Sequence, residues 1–75
     1  MLEKILPDNI YNILINKVNF NSINEIRLRA DKPIVLSIGG QRIFLGEYGV
    51  TGNLKEAIKV SKITIEDIIF RASEC

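Results

Sequence analysis

The chain contains no histidine and no tryptophan, and Cys75 is its single cysteine. Without histidine a Ser-His-Asp triad is excluded, although composition alone does not exclude a serine activated by lysine. A zinc site would need closely spaced cysteine and histidine ligands, which this sequence lacks. We therefore expect no catalytic residue, no metal and no cofactor in this chain.

Long apolar runs and a signal-peptide pattern are also missing. No stretch approaches the roughly eighteen uncharged residues that a membrane-spanning helix requires, so we expect no direct membrane insertion. One cysteine cannot form an internal disulfide, which agrees with a reducing compartment. These features predict a cytoplasmic protein, which could lie at a membrane only through its partners.

The charges show no excess of one sign. Ten Lys and Arg against nine Asp and Glu give a formal net charge of +1, so electrostatics give no reason to expect nucleic acid as the main partner. With 47% hydrophobic residues the chain is too apolar to be disordered. Its 75 residues make one small domain, with little core left over to enclose a catalytic pocket.

Two segments have the spacing of amphipathic helices. The first is predicted to begin with Asp8 as its cap and to end at residues 19–21, with an apolar face at intervals of three, four and eight: Ile10, Ile13, Leu14 and Val18. In the second, Thr64 and Asp67 have the spacing of a capping box. Its predicted buried stripe is Ile65, Ile68, Ile69 and Ala72.

The stretch from Asn24 to Leu45 reads NEIRLRADKPIVLSIGGQRIFL and predicts strands. Ile26 and Leu28 alternate with charged residues, as in a half-buried strand. A second strand follows the Asp-Lys-Pro turn and directs three residues inward: Ile34, Leu36 and Ile38. Gly39-Gly40 supplies the positive φ angles of a tight hairpin into a third strand.

The rest of the chain is less regular. Three glycines predict a loop or irregular edge at residues 46–52. Residues 53–61 fit either a helix capped by Asn53 or a strand near Ala57 to Ser61, and we favour the strand. The predicted fold class is α+β, a small antiparallel sheet of three or four strands with an N-terminal and a C-terminal helix on one face.

Arg27 and Arg29 are the first candidates for a contact site. If they lie in one strand they share a face about 6.6 Å apart, with Glu25 beside them. The pair is either an ordinary solvated face or a site for an anionic partner, because guanidinium groups suit carboxylates and phosphates.

A second candidate is Gly46-Glu47-Tyr48-Gly49, which matches the Gly-x-x-Gly loop of nucleic-acid-binding KH modules. Glu47 is acidic and the flanks are predicted to be extended, whereas a phosphate clamp favours basic or neutral residues between helices. A stand-alone KH-like module is therefore the alternative, and the main expectation is no nucleic-acid partner.

Three stretches of the sequence resemble a known family. They are Asn24–Arg29 with the following Lys-Pro-Ile, the Gly39-Gly40 hairpin, and the closing ITIEDII at 63–69. Together they resemble the amino-terminal region of the stage III sporulation protein AA family, which belongs to the secretion-type ATPases. More distantly, the same order is similar to the amino-terminal domain of type II and type IV secretion and pilus motor ATPases. The resemblance covers nearly the whole chain.

The resemblance implies one non-catalytic amino-terminal domain at 1–75, followed after Cys75 by a P-loop ATPase domain that would use ATP and magnesium. A final helix without a Gly or Pro stop fits a chain that continues. The implied assembly is a hexamer at the cytoplasmic side of a channel between mother cell and forespore. The implied partners are its own ATPase domain, neighbouring subunits and other stage III sporulation channel proteins, and the implied role is subunit contact and nucleotide-coupled movement.

The resemblance also implies a role for arginine. In relatives that drive pili and secretion, this domain packs on the nucleotide-bound ATPase domain and can direct arginines to the phosphates. A common motor form has an arginine two residues before an Asp-Gly hairpin, where this chain has Ser37. Arg27 and Arg29, and after them Arg42, are therefore the candidates for contact with nucleotide or a subunit.

Overall fold

Three helices and six strands make up the fold, and a computed structural model describes all 75 residues. The helices are α1 (Leu2–Ile5), α2 (Asp8–Lys17) and α3 (Lys62–Glu74). The strands are β1 (Ile23–Arg27), β2 (Lys32–Pro33), β3 (Val35–Ile38), β4 (Gln41–Gly46), β5 (Gly49–Thr51) and β6 (Lys59–Val60). Short 3-10 turns lie at Phe20–Ser22 and Leu54–Glu56. None of the helices combines the length and the apolar character needed to cross a membrane.

The main sheet has four antiparallel strands in the order β1-β3-β4-β5. The hairpin predicted at Gly39-Gly40 is confirmed, with φ angles of 57° and 79° and with Ile38 paired to Gln41. Positive φ at both central residues is what a type I′ turn requires. The predicted α+β class, with helices before and after an antiparallel sheet, is the observed one.

The segment at 46–52 is more regular than predicted. Gly46 ends β4, residues 47–48 form a turn, and Gly49 begins β5, the edge strand. The three glycines concealed this strand because glycine lacks the side chain from which strand periodicity is read.

The strand favoured near the end of 53–61 is confirmed, although it is short. β6 pairs with β2 to form a separate two-stranded sheet. The alternative, a helix capped by Asn53, is right about the capping residue. The Asn53 side chain accepts a hydrogen bond of 3.0 Å from the Lys55 backbone N–H and caps the 3-10 turn.

Both predicted helix caps are wrong by position. Asp8 is the first residue of α2, and the extended backbone of Pro7 occupies the cap position. Asp8 still lies in the first turn, where the negative charge of its side chain interacts favourably with the positive end of the helix dipole. In α3 the cap is Ser61, whose hydroxyl accepts a 3.1 Å hydrogen bond from the Thr64 backbone N–H. The Thr64–Asp67 capping box does not form, because the helix begins as soon as β6 ends.

The core lies between the helices and one face of the main sheet. Its buried residues are Leu6, Ile10, Leu14, Ile34, Leu36, Leu45, Val60 and Ile68. α2 supplies Ile10 and Leu14, which are four residues apart on one helical face, and α3 supplies Ile68. β3 and β4 supply Leu36 and Leu45. α1 has no buried residue of its own, but Leu6, which follows it, is buried.

The predicted stripe of α3 is only partly buried. Ile68 is buried and Ile65 half-buried, whereas Ile69 is 63% exposed and Ala72 is exposed. The helix packs chiefly against the short α1, so its contact stripe is narrower than the predicted one.

This difference separates two neighbouring isoleucines. We expect Ile68→Ala to lower the free energy of unfolding by about 2–5 kcal/mol, because it removes buried methyl groups and leaves a cavity. Ile69→Ala is the matched control and should change that free energy by no more than about 0.5 kcal/mol. Chemical denaturation of both variants measures the difference, and equal effects would show that α3 is docked in another orientation.

Gly49 connects the sheet to α2. Its φ angle is +129°, and a β-carbon added there would lie 3.1 Å from the Lys17 carbonyl oxygen. Residues other than glycine rarely adopt this backbone conformation. The added β-carbon would also press on the Lys17 backbone, which cannot easily move aside.

We expect Gly49→Ala to destabilise the fold by about 1–3 kcal/mol through backbone strain and this close contact. Gly52→Ala is the control, because a β-carbon at Gly52 would meet nothing within 4 Å. The control should leave stability unchanged or raise it by up to about 1 kcal/mol. Thermal melts compare the two, and a Gly49→Ala variant as stable as wild type would contradict the packing of β5 on α2.

Candidate contact surface on the open sheet face

The main sheet has one face covered by helices and one that is not. Strand register places seven side chains on the second side, which we call the open face: Glu25, Arg27, Val35, Ser37, Arg42, Phe44 and Thr51. These residues alternate with Leu36, Ile43 and Leu45, which face the helices, and successive side chains point to opposite sides of a sheet.

At the centre of the open face are two apolar side chains. Val35 and Phe44 are directly opposite each other on β3 and β4, and both are half-buried. Neither belongs to the apolar set packed on the core. An aromatic–β-branched pair of this kind stabilises a sheet locally and leaves apolar surface available to a partner.

The charged residues of the open face lie around this apolar pair. Arg27 occupies the same row as Val35 and Phe44, whereas Glu25 and Arg42 flank Ser37 in the next row. Since neighbouring strands are about 4.8 Å apart, the backbones at Glu25 and Arg42 are separated by roughly 10 Å.

Arg27 and Arg42 differ in their electrostatic partners. An Arg27 Nη2 group donates to Glu25 Oε1 at 3.3 Å, and both side chains are exposed enough for water to weaken the pair. Arg42 is exposed and makes no salt bridge. The open face therefore has a net charge of one positive unit, and its free guanidinium is that of Arg42.

The prediction that Arg27 and Arg29 share a strand face is wrong. β1 ends at Arg27, and the chain then leaves the sheet through Asp31, whose φ angle is +61°. The Asp31 N–H donates to the Val60 carbonyl, so the segment is drawn toward β6. Arg29 is exposed in this connection, outside the open face.

The Gly-x-x-Gly candidate is the tip of a β-hairpin. Gly46 and Gly49 are paired to each other across β4 and β5, with the exposed Glu47 and Tyr48 at the turn. Packing explains why both positions are glycine. A β-carbon at Gly46 would lie 3.1–3.3 Å from surrounding atoms, and Gly49 packs on Lys17. This geometry differs from a loop between helices, and the acidic Glu47 repels phosphate.

Titratable groups elsewhere do not form a site. The N-terminal ammonium donates a 2.7 Å hydrogen bond to Glu3 Oε2, which lowers the pKa of that carboxyl, but both groups are exposed. No group of three or more His, Cys, Asp or Glu side chains is placed to hold a metal ion. Cys75 is exposed and free.

Sequence reasoning ranked Arg42 last and missed Val35 and Phe44. The signal was present, because a two-residue turn at Gly39-Gly40 fixes the pairing of β3 with β4. With Leu36 and Ile43 directed to the core, Val35 and Phe44 must be directed to the opposite side. Comparison of the chain with models of known protein families, with curated proteins and with solved structures finds no match.

Proposed function

We propose that the chain is the non-catalytic amino-terminal domain of a secretion-type ATPase of the stage III sporulation family, and that the open face contacts its ATPase domain or a neighbouring subunit. The observation that carries the proposal is the Val35–Phe44 pair between Arg27 and Arg42 on an uncovered sheet face. Aromatic residues and arginine are enriched at protein interfaces, so this surface suits a protein partner.

The positions of the resembling residues also support the proposal. The EIRLR string contains most of β1, the Lys-Pro string is β2, and the two glycines form the turn between β3 and β4. The first and last of these strings belong to the sheet that carries the open face. β2 pairs with β6 in the separate two-stranded sheet, and the ITIEDII stretch lies in α3. In the proposed protein, ATP and magnesium bind to a P-loop domain that follows this one. The subunits form a ring at the cytoplasmic side of the sporulation channel, where they contact other proteins of that channel.

In the proposed protein, Arg42 takes the part that the motor form gives to another arginine, and its pairing supports this assignment. The matching position is Ser37, and Arg42 is its direct neighbour across β3 and β4 on the open face. Directly opposite residues have β-carbons about 4.5–5.5 Å apart, a distance that the long arginine side chain easily spans. Because Arg42 has no salt bridge in the chain, its guanidinium is available to a carboxylate or a phosphate.

We expect Arg42→Ala and Arg27→Ala to impair ring assembly or ATP turnover of the full-length protein. The loss would reach roughly a thousandfold if the residue acts as an arginine finger. In the isolated chain, either change should alter the free energy of unfolding by no more than about 0.5 kcal/mol, because both side chains are at the surface.

Arg29→Ala is the matched control and should leave assembly and turnover at wild-type levels, since Arg29 lies outside the open face. Arg42→Lys distinguishes charge from shape, because lysine keeps the charge but loses the bidentate geometry. Normal assembly and turnover in both alanine variants of the open face would sink the proposal.

The isolated chain is expected neither to bind nor to hydrolyse ATP, because it has no phosphate loop. Its one Gly-Gly pair is the turn of a hairpin rather than the start of a helix. Calorimetric titration with MgATP should give no heat of binding, and a micromolar affinity would contradict the assignment of nucleotide binding to another domain.

A further inference from the structure

β1 is an exposed edge of the main sheet. It pairs with β3 on one side and with no strand on the other. Ile38 and Gln41, on either side of the Gly39-Gly40 turn, form a hydrogen-bonded pair. Hydrogen-bonded pairs alternate along an antiparallel ladder, so Ile38 and Leu36 direct their backbone N–H and C=O groups to β4. Val35 and Ser37 therefore direct theirs to β1. Their partners in β1 are Arg27 and Glu25. The N–H and C=O of Ile26 therefore face outward.

An apolar groove runs along this edge. It has a volume of about 230 Å³ and is lined by Leu2, Phe20, Ile23, Asn24, Glu25 and Ile26. The side chain of Ile26 is half-buried on the helix-covered side. An unpaired strand beside an apolar groove is the arrangement by which proteins accept an additional strand.

We propose that the added strand is β1 of a second copy of this chain, paired antiparallel about a two-fold axis at Ile26. In this register the two Ile26 residues exchange backbone hydrogen bonds, and their side chains meet beside the groove. Glu25 of each copy then lies opposite Arg27 of the other, on the open face. The result is a continuous eight-stranded sheet.

Charge complementarity selects this occupant. Glu25 and Arg27 flank Ile26 with opposite signs, so antiparallel self-pairing brings together two pairs of unlike charges and no pair of like charges. Their side chains are 54% and 39% exposed, so both can reach a second copy. A partner strand of uniform charge would be repelled at one of the two positions.

The other edge is less suited to pairing. β5 has three residues and begins with Gly49 packed against Lys17 of α2. In β1 the register shift between Ile23 and Glu25 confines regular pairing to the residues around Ile26. The dimer is accordingly expected to be weak and to depend on concentration.

This dimer does not rest on the identity of the parent protein. Sedimentation equilibrium of the isolated chain, up to millimolar concentration, should show reversible dimerisation. A chain that stays monomeric throughout would overturn the inference, while leaving the proposed contact with an ATPase domain intact.

Charge exchange supplies the specific test. Glu25→Arg and Arg27→Glu each replace two attractive pairs by two repulsive ones, and each should weaken dimerisation roughly tenfold or more. An equimolar mixture of the two variants should form a heterodimer, because unlike charges again face each other, and the double exchange in one chain should restore the homodimer. Arg42→Glu is the control, since it reverses a charge on the same face two strands from the edge and should leave dimerisation unchanged.

Two results would contradict the proposed register. If both single exchanges dimerise as well as wild type, association uses another surface. If both fail and the mixture also fails, the Glu25–Arg27 pairs do not form between copies. Circular dichroism of each variant checks that it is folded, and the double exchange gives an independent answer should one single variant unfold.

Discussion

Burial of apolar side chains on only one side of the main sheet is the constraint on which the rest of this structure depends. Eight residues are buried as the hydrophobic core, and they lie between the helices and the inner face of the sheet. A domain of this size has too few residues to build a second helical layer over the opposite face. That face is consequently left with Val35 and Phe44 half-exposed among charged side chains, and one edge of the sheet is left unpaired.

The hairpin at Gly39-Gly40 turns this constraint into a defined surface. A slip of one residue in its register would exchange the two faces of β4, putting Arg42 and Phe44 into the core and Ile43 and Leu45 into water. Two glycines with positive φ form the two-residue turn that fixes the register, and the Gly39 N–H donates a 3.2 Å hydrogen bond to Asn24 Oδ1. The same two residues therefore determine both the core and the open face.

The features that could be predicted from the sequence are those that depend on residues close together along the chain. The hairpin, the inward positions of β3 and the α+β class follow from local turn chemistry and periodicity. The failures depend on contacts between distant parts of the chain. Arg29 leaves the sheet because Asp31 bonds to the backbone of Val60, twenty-nine residues later, and Ile69 stays exposed because α3 packs chiefly on α1. The cap of α3 is Ser61 rather than Thr64, because β6 ends at the residue before Ser61. Phe44 could have been found from the hairpin register.

The contact between α1 and α3 brings the first and last residues of the chain together. Both helices belong to the layer that covers the inner side of the sheet, and Met1 and Cys75 line one common pocket. Both of these residues therefore lie on the helical side, away from the open face. A tag or a fluorescent protein fused at either end would emerge on that side, so the open face can be probed with both ends occupied.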